Sequence, residues 1–297
     1  MKKVLLASTA LILTAGVAAA DGHAGIELSG SANAGVKYNS EAADQFTIHN
    51  EVNVVISMSG ASDSGLSFGA FIDIDEDSVD DAEVFLSGLF GTVTVGGVDP
   101  ATDGFGIADV GFDGIGVDDP AEQYKNATAG ADVVYSYSAS GLTFTASLET
   151  NGENSYAVAL EYAAGAFSAG VGYVDDADDL GGNSTITVAG GFSQGPISVN
   201  AIYSDWDGGT LDSGQGYGVD VSFDAGVATV TAVYSNADGV SAGAGLGSSY
   251  GVGFSTDLGG GLKLAGGVGA IQPDQAAGGT AATDTETVAD LGVSMSF

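Results

Sequence analysis

Apolar and polar residues alternate at every second position along most of the chain. In the stretch LTFTASLE, Leu142, Phe144 and Leu148 share one face, while threonines, a serine and Glu149 take the other. Successive side chains of a β-strand point to opposite faces, so this period predicts strands with one apolar and one polar face. The same pattern runs to the end of the chain and finishes on Phe297. The chain is therefore predicted to be all-β.

The alternating segments number about 16, and short turns alternate with long loops between them. The predicted strands are 24–38, 46–59, 66–75, 82–89, 92–98, 132–139, 142–150, 155–163, 166–174, 184–193, 196–204, 216–224, 227–235, 248–256, 262–271 and 287–297. Most are about 8–11 residues long, the length of a tilted strand that crosses a bilayer. Single-chain outer-membrane barrels also require an even number of strands. We therefore predict a 16-stranded antiparallel transmembrane β-barrel.

A soluble β-sandwich would show the same alternation, with its apolar face buried between two sheets. Two observations favour the barrel. The strands are more numerous than two modest sheets usually contain, and the polar face carries Ser, Thr, Gly, Asn and carboxylates, which suit a surface that lines water. Aromatic residues recur near predicted strand ends, as in the girdle of a membrane barrel. They are Tyr38, Tyr137, Tyr162, Tyr173, Tyr203, Phe223, Tyr234 and Phe254, with Trp206 predicted as a further interface aromatic.

The N-terminus has the features of an export signal. Residues 1–20 contain two lysines, an apolar run and the small residues Ala18, Ala19 and Ala20. They are predicted to form a secretory signal peptide that is cleaved after Ala20, which leaves residues 21–297 as the barrel. No later segment has 18 consecutive apolar residues, so no transmembrane helix is expected. The chain has no cysteine, so the exported protein would fold without disulfide bonds.

The charge is strongly negative. The chain contains 39 acidic residues, 5 lysines and no arginine, for a net charge of −34. Loss of Lys2 and Lys3 with the predicted signal peptide changes that value to −36. Nucleic-acid-binding proteins need a basic surface, so nucleic acid is excluded as a partner, whereas cations are attracted. A hydrophobic fraction of 44% argues against the disorder that acidic chains can show.

Several blocks of the sequence resemble the Rhodobacter-type general porins of Gram-negative bacteria. They are SDSGLSFGA (62–70), VFLSGLFGTVTVGG (84–97), VVYSYSASGLTFTAS (133–147), DLGGGLKLAGGV (257–268) and the terminal VADLGVSMSF. The resemblance implies a homotrimer of 16-stranded barrels in outer-membrane lipid. Each barrel would be a water-filled pore for small hydrophilic solutes, narrowed by a third loop that folds inward. It also implies that the terminal Phe297 is the signal that the outer-membrane assembly machinery recognises.

In this chain the third loop corresponds to residues 99–131, the longest connection. By resemblance, its carboxylates are the candidate constriction residues, namely Asp103, Asp109, Asp113, Asp118, Asp119 and Glu122. Alternation and resemblance place a second set on the pore wall, namely Glu27, Asn33, Lys37, Glu51, Asn53, Asp73 and Asp75. The family often places arginines on the second strand, but this chain reads HNEVNVV there, and Lys37 is the only basic candidate in the early strands. We therefore predict a negatively charged lumen and a preference for cations.

Other chemistry is less favoured. Acidic runs at 73–77 and 175–182 could bind Ca²⁺, with Asp175, Asp176, Asp178 and Asp179 as candidate ligands, although neither run matches a calcium-loop pattern. The alternative function is therefore a secreted, acidic, β-rich surface protein stabilised by Ca²⁺. His23 and His49 lack cysteine partners and metal-ligand spacing, and they are predicted to be ordinary surface or lumen histidines. No convergent Ser/His/Asp set is visible, so neither enzyme activity nor a resident cofactor is expected.

Overall fold

The computed structural model describes residues 25–75, 78–126, 130–150, 154–176, 183–208, 213–239, 246–273 and 285–297. In this part of the chain, sixteen antiparallel strands form one closed barrel. They are β1 Gly25–Asn39, β2 Phe46–Ala61, β3 Ser67–Asp75, β4 Ser78–Gly88, β5 Gly91–Gly96, β6 Val133–Ala139, β7 Leu142–Leu148, β8 Tyr156–Ala164, β9 Phe167–Asp176, β10 Asn183–Gln194, β11 Ile197–Asp207, β12 Ser213–Asp224, β13 Thr229–Gly239, β14 Leu246–Gly259, β15 Leu262–Pro273 and β16 Glu286–Ser296. A single helical turn, α1 Asp119–Glu122, lies between β5 and β6. None of the described helices is long and apolar enough to cross a membrane.

The architecture confirms the predicted fold class. Each predicted strand overlaps one observed strand, and each strand pairs with its neighbours in sequence. The predicted signal peptide, residues 1–20, lies outside the described residues and stays a prediction.

The first and last strands close the barrel. β1 pairs with β16 from Ser31 opposite Ser296 to Asn39 opposite Val288. The Phe297 amide donates to the Gly30 carbonyl at 2.9 Å, which extends the pairing to the last residue. Closure gives the terminal strands backbone partners on both sides, so neither is left as a free edge in an apolar medium.

The outward face of the barrel is apolar. Ile48 is 79% exposed and Val84 is 61% exposed. Along β12, Tyr217 and Val219 are exposed, whereas Gly218 and Asp220 are buried towards the interior. A soluble sheet would bury the apolar face, so this inverted arrangement is that of a transmembrane barrel.

The connection between β5 and β6 enters the barrel. We name it L3, residues 97–132, of which 127–129 lie outside the described residues. Its buried apolar residues and inward-facing residues of the wall form the main hydrophobic cluster. The members of that cluster are Phe105, Ile107, Val110, Ile115, Val117, Ala121, Ala159, Ile202, Val233 and Val288. The inward-folded third loop is thereby confirmed, and the core of the molecule lies between L3 and the wall rather than between two sheets.

Candidate functional site in the barrel lumen

Glycines on the barrel wall make room for L3. A Cβ atom added at Gly172 of β9 would lie 2.7 Å from Cε2 of Phe105. A Cβ atom added at Gly253 of β14 would lie 2.8 Å from Cβ of Val110. Both distances are shorter than van der Waals contact, so a larger residue would displace the loop. The inward glycines of these strands were interpreted from sequence as lining water, and this interpretation is wrong because L3 covers them.

The middle of L3 is anchored to Asp290 on β16. One carboxylate oxygen, Oδ2, accepts the backbone N–H groups of Phe112 at 2.9 Å and Asp113 at 3.3 Å. The other oxygen accepts the N–H of Gly267 on β15 at 2.8 Å. These charge-assisted bonds satisfy backbone donors that the loop could not otherwise pair inside the barrel.

Further wall groups hold the first half of L3. Oδ2 of Asp220 on β12 accepts the N–H of Ala108 at 3.0 Å. The same carboxylate accepts the Asn200 amide of β11, also at 3.0 Å. The hydroxyl of Ser147 on β7 accepts the N–H of Ala101 at 2.9 Å. L3 is thus attached to several strands of the wall by polar contacts as well as by apolar packing.

Lys125 cross-links L3 to itself. Its ammonium group donates to Oε2 of Glu122 at 2.7 Å and to the carbonyls of Asp103 at 2.8 Å and Phe105 at 2.9 Å. The side chain is only 5% exposed. Lys125 was not among the predicted site residues, although it is the one basic residue in a strongly acidic loop. A single lysine among many carboxylates was the sequence signal that could have predicted a buried structural cation.

Trp206 also belongs to the interior. It lies on β11 and stacks on Tyr124 of L3, with ring centroids 5.3 Å apart and planes 10° from parallel. The expectation that Trp206 lies at the membrane interface is therefore wrong. An aromatic residue at a strand end can face either way, and here the loop supplies its partner.

The lumen has two unlike sides. On what we name the late wall, the inward-facing residues of β8–β16, most side chains are buried, including Thr187, Ser204 and Ser235. On what we name the early wall, the inward-facing residues of β1–β6, side chains such as Glu51 and Asp73 stay partly exposed. L3 therefore lies against the late wall, and water reaches the early wall.

One cluster joins L3 to the strands on the open side. The carboxylate of Asp113 forms an ion pair with the ammonium of Lys37 on β1. Its Oδ2 also lies 3.0 Å from Nε2 of His49 on β2. His49 Nε2 lies 3.6 Å from Oε2 of Glu51, two residues further along the same face of β2. Three of the predicted pore residues are thus brought together, and His49 joins them.

The other predicted loop carboxylates divide into two groups. Asp109 and Asp119 are exposed. Asp103 accepts the Asn126 amide at 2.9 Å, and both Asp118 and the Glu122 side chain are more than nine-tenths buried. The second group therefore stabilises L3 as well as contributing charge.

The other predicted wall residues lie on the inward face at different depths. Asn33 is opposite Glu51 in the β1–β2 pairing, and Asn53 donates to Oε1 of Glu51 at 2.8 Å. Asn53 is in turn opposite Asp75. Glu27 lies ten residues before Lys37 on β1, or about 33 Å away along the strand. Glu27 is therefore remote from the cluster at Asp113.

The sequence of this barrel matches a known protein family. Residues 7–276 match the model of the Gram-negative porin family. The chain belongs to this family. It is 30% identical to the porin of Rhodobacter capsulatus, over 92% of this chain and 100% of that protein.

Solved structures share the fold. A porin structure refined at 1.8 Å resolution superimposes with a TM-score of 0.73 at 26% identity, covering 92% of this chain and all of the other. A loop-deletion mutant of OmpT, an outer membrane protein of Vibrio cholerae, gives a TM-score of 0.76 at 14% identity, covering 92% and 99% of the two chains. The fold thus persists in proteins whose sequences have diverged widely.

The predicted calcium ligands of this porin are only partly within the described chain. Asp175 accepts the hydroxyl of Tyr173 at 2.9 Å, and Asp176 is fully buried. Asp178 and Asp179 lie outside the described residues. The calcium site therefore stays a prediction.

Two carboxyl groups of L3 lie close enough to share a proton. Burial, together with the nearby carboxylates of Asp109, Glu122 and Asp119, raises the pKa of Asp118 to about 8. Desolvation of its carboxyl group, which lies beside Asp118, raises the pKa of Asp109, although other atoms of this residue are exposed. At neutral pH the docked loop therefore holds a proton that a released loop would lose.

This proton makes the docking of L3 sensitive to pH. At pH values between the ordinary carboxyl pKa and about 8, the docked state of L3 binds more protons than the released state. Docking therefore weakens as the pH rises through this range. We expect open-channel current noise to increase between about pH 5 and pH 8. Asp118→Asn, which keeps a neutral side chain, should flatten this dependence, whereas Asp63→Asn in the β2–β3 turn should leave it unchanged. An unchanged pH profile in Asp118→Asn would contradict the expectation.

Proposed function

We propose that this chain is a general diffusion porin of the outer membrane that is exported through a cleaved signal peptide. Small hydrophilic solutes would cross by passive diffusion through its water-filled lumen, with no covalent chemistry, and cations would be preferred. The observation that carries this proposal is the acidic character of the accessible side of the lumen. The partly or fully exposed carboxylates there are Glu51, Asp73, Asp75 and Glu83 on the early wall, with Asp109 and Asp119 on L3.

The positive charges of the lumen do little to offset these carboxylates. Lys37 is paired with Asp113, and Lys125 is buried among groups of L3 that accept its hydrogen bonds. Lys263 is the remaining lysine of the mature barrel. Fixed negative charge in a narrow aqueous path attracts cations and repels anions.

The candidate residues take two roles in this proposal. Asp109, Asp113 and Asp119, with the early-wall set of Asn33, Lys37, Glu51, Asn53, Asp73 and Asp75, act on passing ions directly. Asp103, Asp118 and Glu122 fix the position of L3, and Glu27 contributes charge near the other end of the lumen. Membership of the porin family favours this channel over the alternative of a secreted, Ca²⁺-stabilised surface protein.

The proposal extends to assembly. The apolar outer face would contact lipid and, as in a homotrimer, neighbouring copies of the chain. Phe297 is 79% exposed at the end of the closing strand, which leaves its ring accessible to the outer-membrane assembly machinery. Supporting this role, its backbone already completes the pairing with β1, so the ring itself is not needed for closure.

Planar-bilayer recording tests the proposed channel. Purified protein under a tenfold KCl gradient should give stepwise conductance and a reversal potential that favours K⁺ over Cl⁻. Raising the salt to 1 M should reduce the preference, because the Debye length falls from about 10 Å at 0.1 M to about 3 Å. A failure to form channels would refute the proposal, whereas an anion-preferring channel would refute only its charge argument.

Neutralising the early wall should reduce cation preference. One unit charge about 8 Å from an ion in water contributes about 0.5 kcal/mol, which screening over a Debye length of about 8 Å reduces to about 0.2 kcal/mol, with opposite signs for K⁺ and Cl⁻. Loss of two charges in Asp73→Asn with Asp75→Asn should therefore lower the K⁺/Cl⁻ permeability ratio about two- to fivefold. The control pair is Asp44→Asn with Asp63→Asn, exposed carboxylates in the β1–β2 loop and the β2–β3 turn. Equal effects of the two pairs would show that net charge, rather than the early wall, sets selectivity.

A further inference from the structure

We propose that His49, Glu51 and Asp113 form a binding site for one divalent transition-metal ion, of the class of Zn²⁺, Co²⁺ or Ni²⁺. The site lies in the lumen between β2 and L3. One nitrogen and two carboxylate oxygens, one ligand atom from each residue, all lie within 4.8 Å of one another. This grouping goes beyond a diffuse acidic surface, because it includes an imidazole and joins two separate parts of the fold.

The spacing of the ligand atoms suits a single small ion. Metal–ligand distances of about 2.0–2.2 Å place neighbouring ligands about 3.0–3.5 Å apart around the ion. Nε2 of His49 lies 3.0 Å from Oδ2 of Asp113 and 3.6 Å from Oε2 of Glu51. The remaining pair, Glu51 with Asp113, can approach through rotation of the Glu51 side chain, which is 25% exposed.

Neighbouring residues orient the ligands. Asn53 donates to Oε1 of Glu51 at 2.8 Å, which leaves Oε2 towards His49. The ring of Phe112 packs edge-on against His49, with centroids 5.8 Å apart. Asp113 is held through its backbone N–H by Asp290. Such outer contacts limit the movement of ligands and raise metal affinity.

The ligand types determine which ion is preferred. Imidazole nitrogen combined with carboxylate oxygens favours Zn²⁺, Co²⁺ and Ni²⁺, whereas Ca²⁺ and Mg²⁺ prefer an all-oxygen shell. Two carboxylates balance the charge of a dication. The side chain of His49 is 27% exposed and that of Asp113 is 13% exposed, so an ion can arrive from the lumen and keep water ligands.

Lys37 is a built-in competitor for this ion. Its ammonium is paired with Oδ2 of Asp113, which is the oxygen nearest to His49. A metal ion must displace this contact or share the carboxylate with it. Removing the ammonium should therefore strengthen metal binding, a result that misfolding cannot produce.

Isothermal titration of Ni²⁺ and of Zn²⁺ into the untagged, folded full chain in detergent tests the site. We expect one ion per chain. Affinity should fall at least about tenfold in His49→Ala and in Glu51→Gln, since loss of even an outer-shell partner can have an effect of that size. Affinity should rise in Lys37→Met, and excess Mg²⁺ should not displace the ion.

Matched controls separate this site from general attraction of cations. Glu27→Gln removes an inward carboxylate far along β1, and Lys263→Met removes the inward lysine of β15. Both should leave Ni²⁺ affinity within twofold of the wild-type value. Equal losses in Glu51→Gln and Glu27→Gln, full affinity in His49→Ala, or displacement of Ni²⁺ by equimolar Ca²⁺ would each overturn the proposal.

Metal binding and ion conduction are measured in separate experiments. We expect micromolar Zn²⁺ to block the channel partially and His49→Ala to abolish this block. This expectation rests on the proposed channel function. Calorimetric binding does not rest on it, because it requires only the folded barrel. If the protein formed no channels but bound metal in a His49-dependent way, the channel would be refuted and the metal site supported. If it formed channels but showed no His49-dependent binding, the metal site would be refuted and the channel supported.

Discussion

Asp290→Ala is expected to release the middle of L3 from the late wall and to raise single-channel conductance with larger current fluctuations. The wild-type carboxylate accepts two backbone N–H groups of the loop, from Phe112 and Asp113, and is almost fully buried. A hydrogen bond to a charged group contributes about 1.5–3 kcal/mol, so docking of this turn should weaken by about 3–6 kcal/mol. The change removes the acceptor and leaves both donors without a protein partner.

The geometry around Asp290 makes it hard to replace. Gly111 precedes the anchored turn with a φ of +115°, and a Cβ atom there would lie 2.6 Å from Oδ1 of Asp290. The backbone thus approaches the carboxylate more closely than any residue but glycine permits. Asp290→Asn keeps one acceptor oxygen but loses the charge, so its effect should be intermediate.

Ser294→Ala is the matched control for Asp290→Ala. Ser294 lies four residues further along β16 on the same inward face, opposite Asn33 of β1 and Lys263 of β15. The Ser294→Ala substitution should leave conductance and current noise unchanged. Bilayer recordings in which Asp290→Ala behaves like Ser294→Ala would show that Asp290 does not hold the loop.

Gly172→Val is expected to have the second large effect, by pushing the first part of L3 away from β9. A side chain at this position would overlap Phe105 and the methyl group of Thr102. Overpacking a well-packed interior costs about 1–3 kcal/mol, and here the loop is the part that can move. We expect lower thermal stability and a change in conductance, measured by heat-modifiable gel migration and bilayer recording.

Gly190→Val on the adjacent strand provides the control. Gly190 faces outward, and a Cβ atom there would lie 3.7 Å from the nearest heavy atom, the Ser168 carbonyl oxygen. Valine is well suited to an outward strand position, so this variant should be as stable as the wild type or more so. If both valine variants behaved alike, strand propensity rather than contact with L3 would explain the result.

The strands were predictable from sequence because their signal is local. Alternation of period two is a direct consequence of strand geometry, and it recurs in most of the sixteen strands. The sequence TVADLGVSMSF shows this near its end, where Leu291 and Val293 face outward and Asp290 faces inward, as the pairing with β1 requires. Closure and strand number followed from the count of such segments.

The site was less predictable because it depends on contacts between distant residues. In L3, Phe105, Ile107, Val110, Ile115 and Val117 form an apolar series. This series gave a signal that the loop is buried, but nothing local identifies the wall that receives it. A glycine in a sequence likewise indicates a turn or a small residue that lines the pore. Only the contact between such a glycine and L3 shows that it leaves room for the loop. His49 and Asp113 lie 64 residues apart, so their proximity is a property of the docked loop.

The division of the lumen into two sides has a practical consequence for engineering. Partly exposed acidic side chains such as Glu51 and Asp73 lie on the early wall, whereas most of the wall residues that pack against L3 lie on the late wall. Charges on the early wall can therefore be redesigned without repacking the surface that fixes the pore's cross-section. Conversely, cavity-filling or cavity-creating changes on the late wall would alter pore size while leaving ion preference largely unchanged. We therefore expect pore size and ion selectivity to respond to changes at separate positions of one chain.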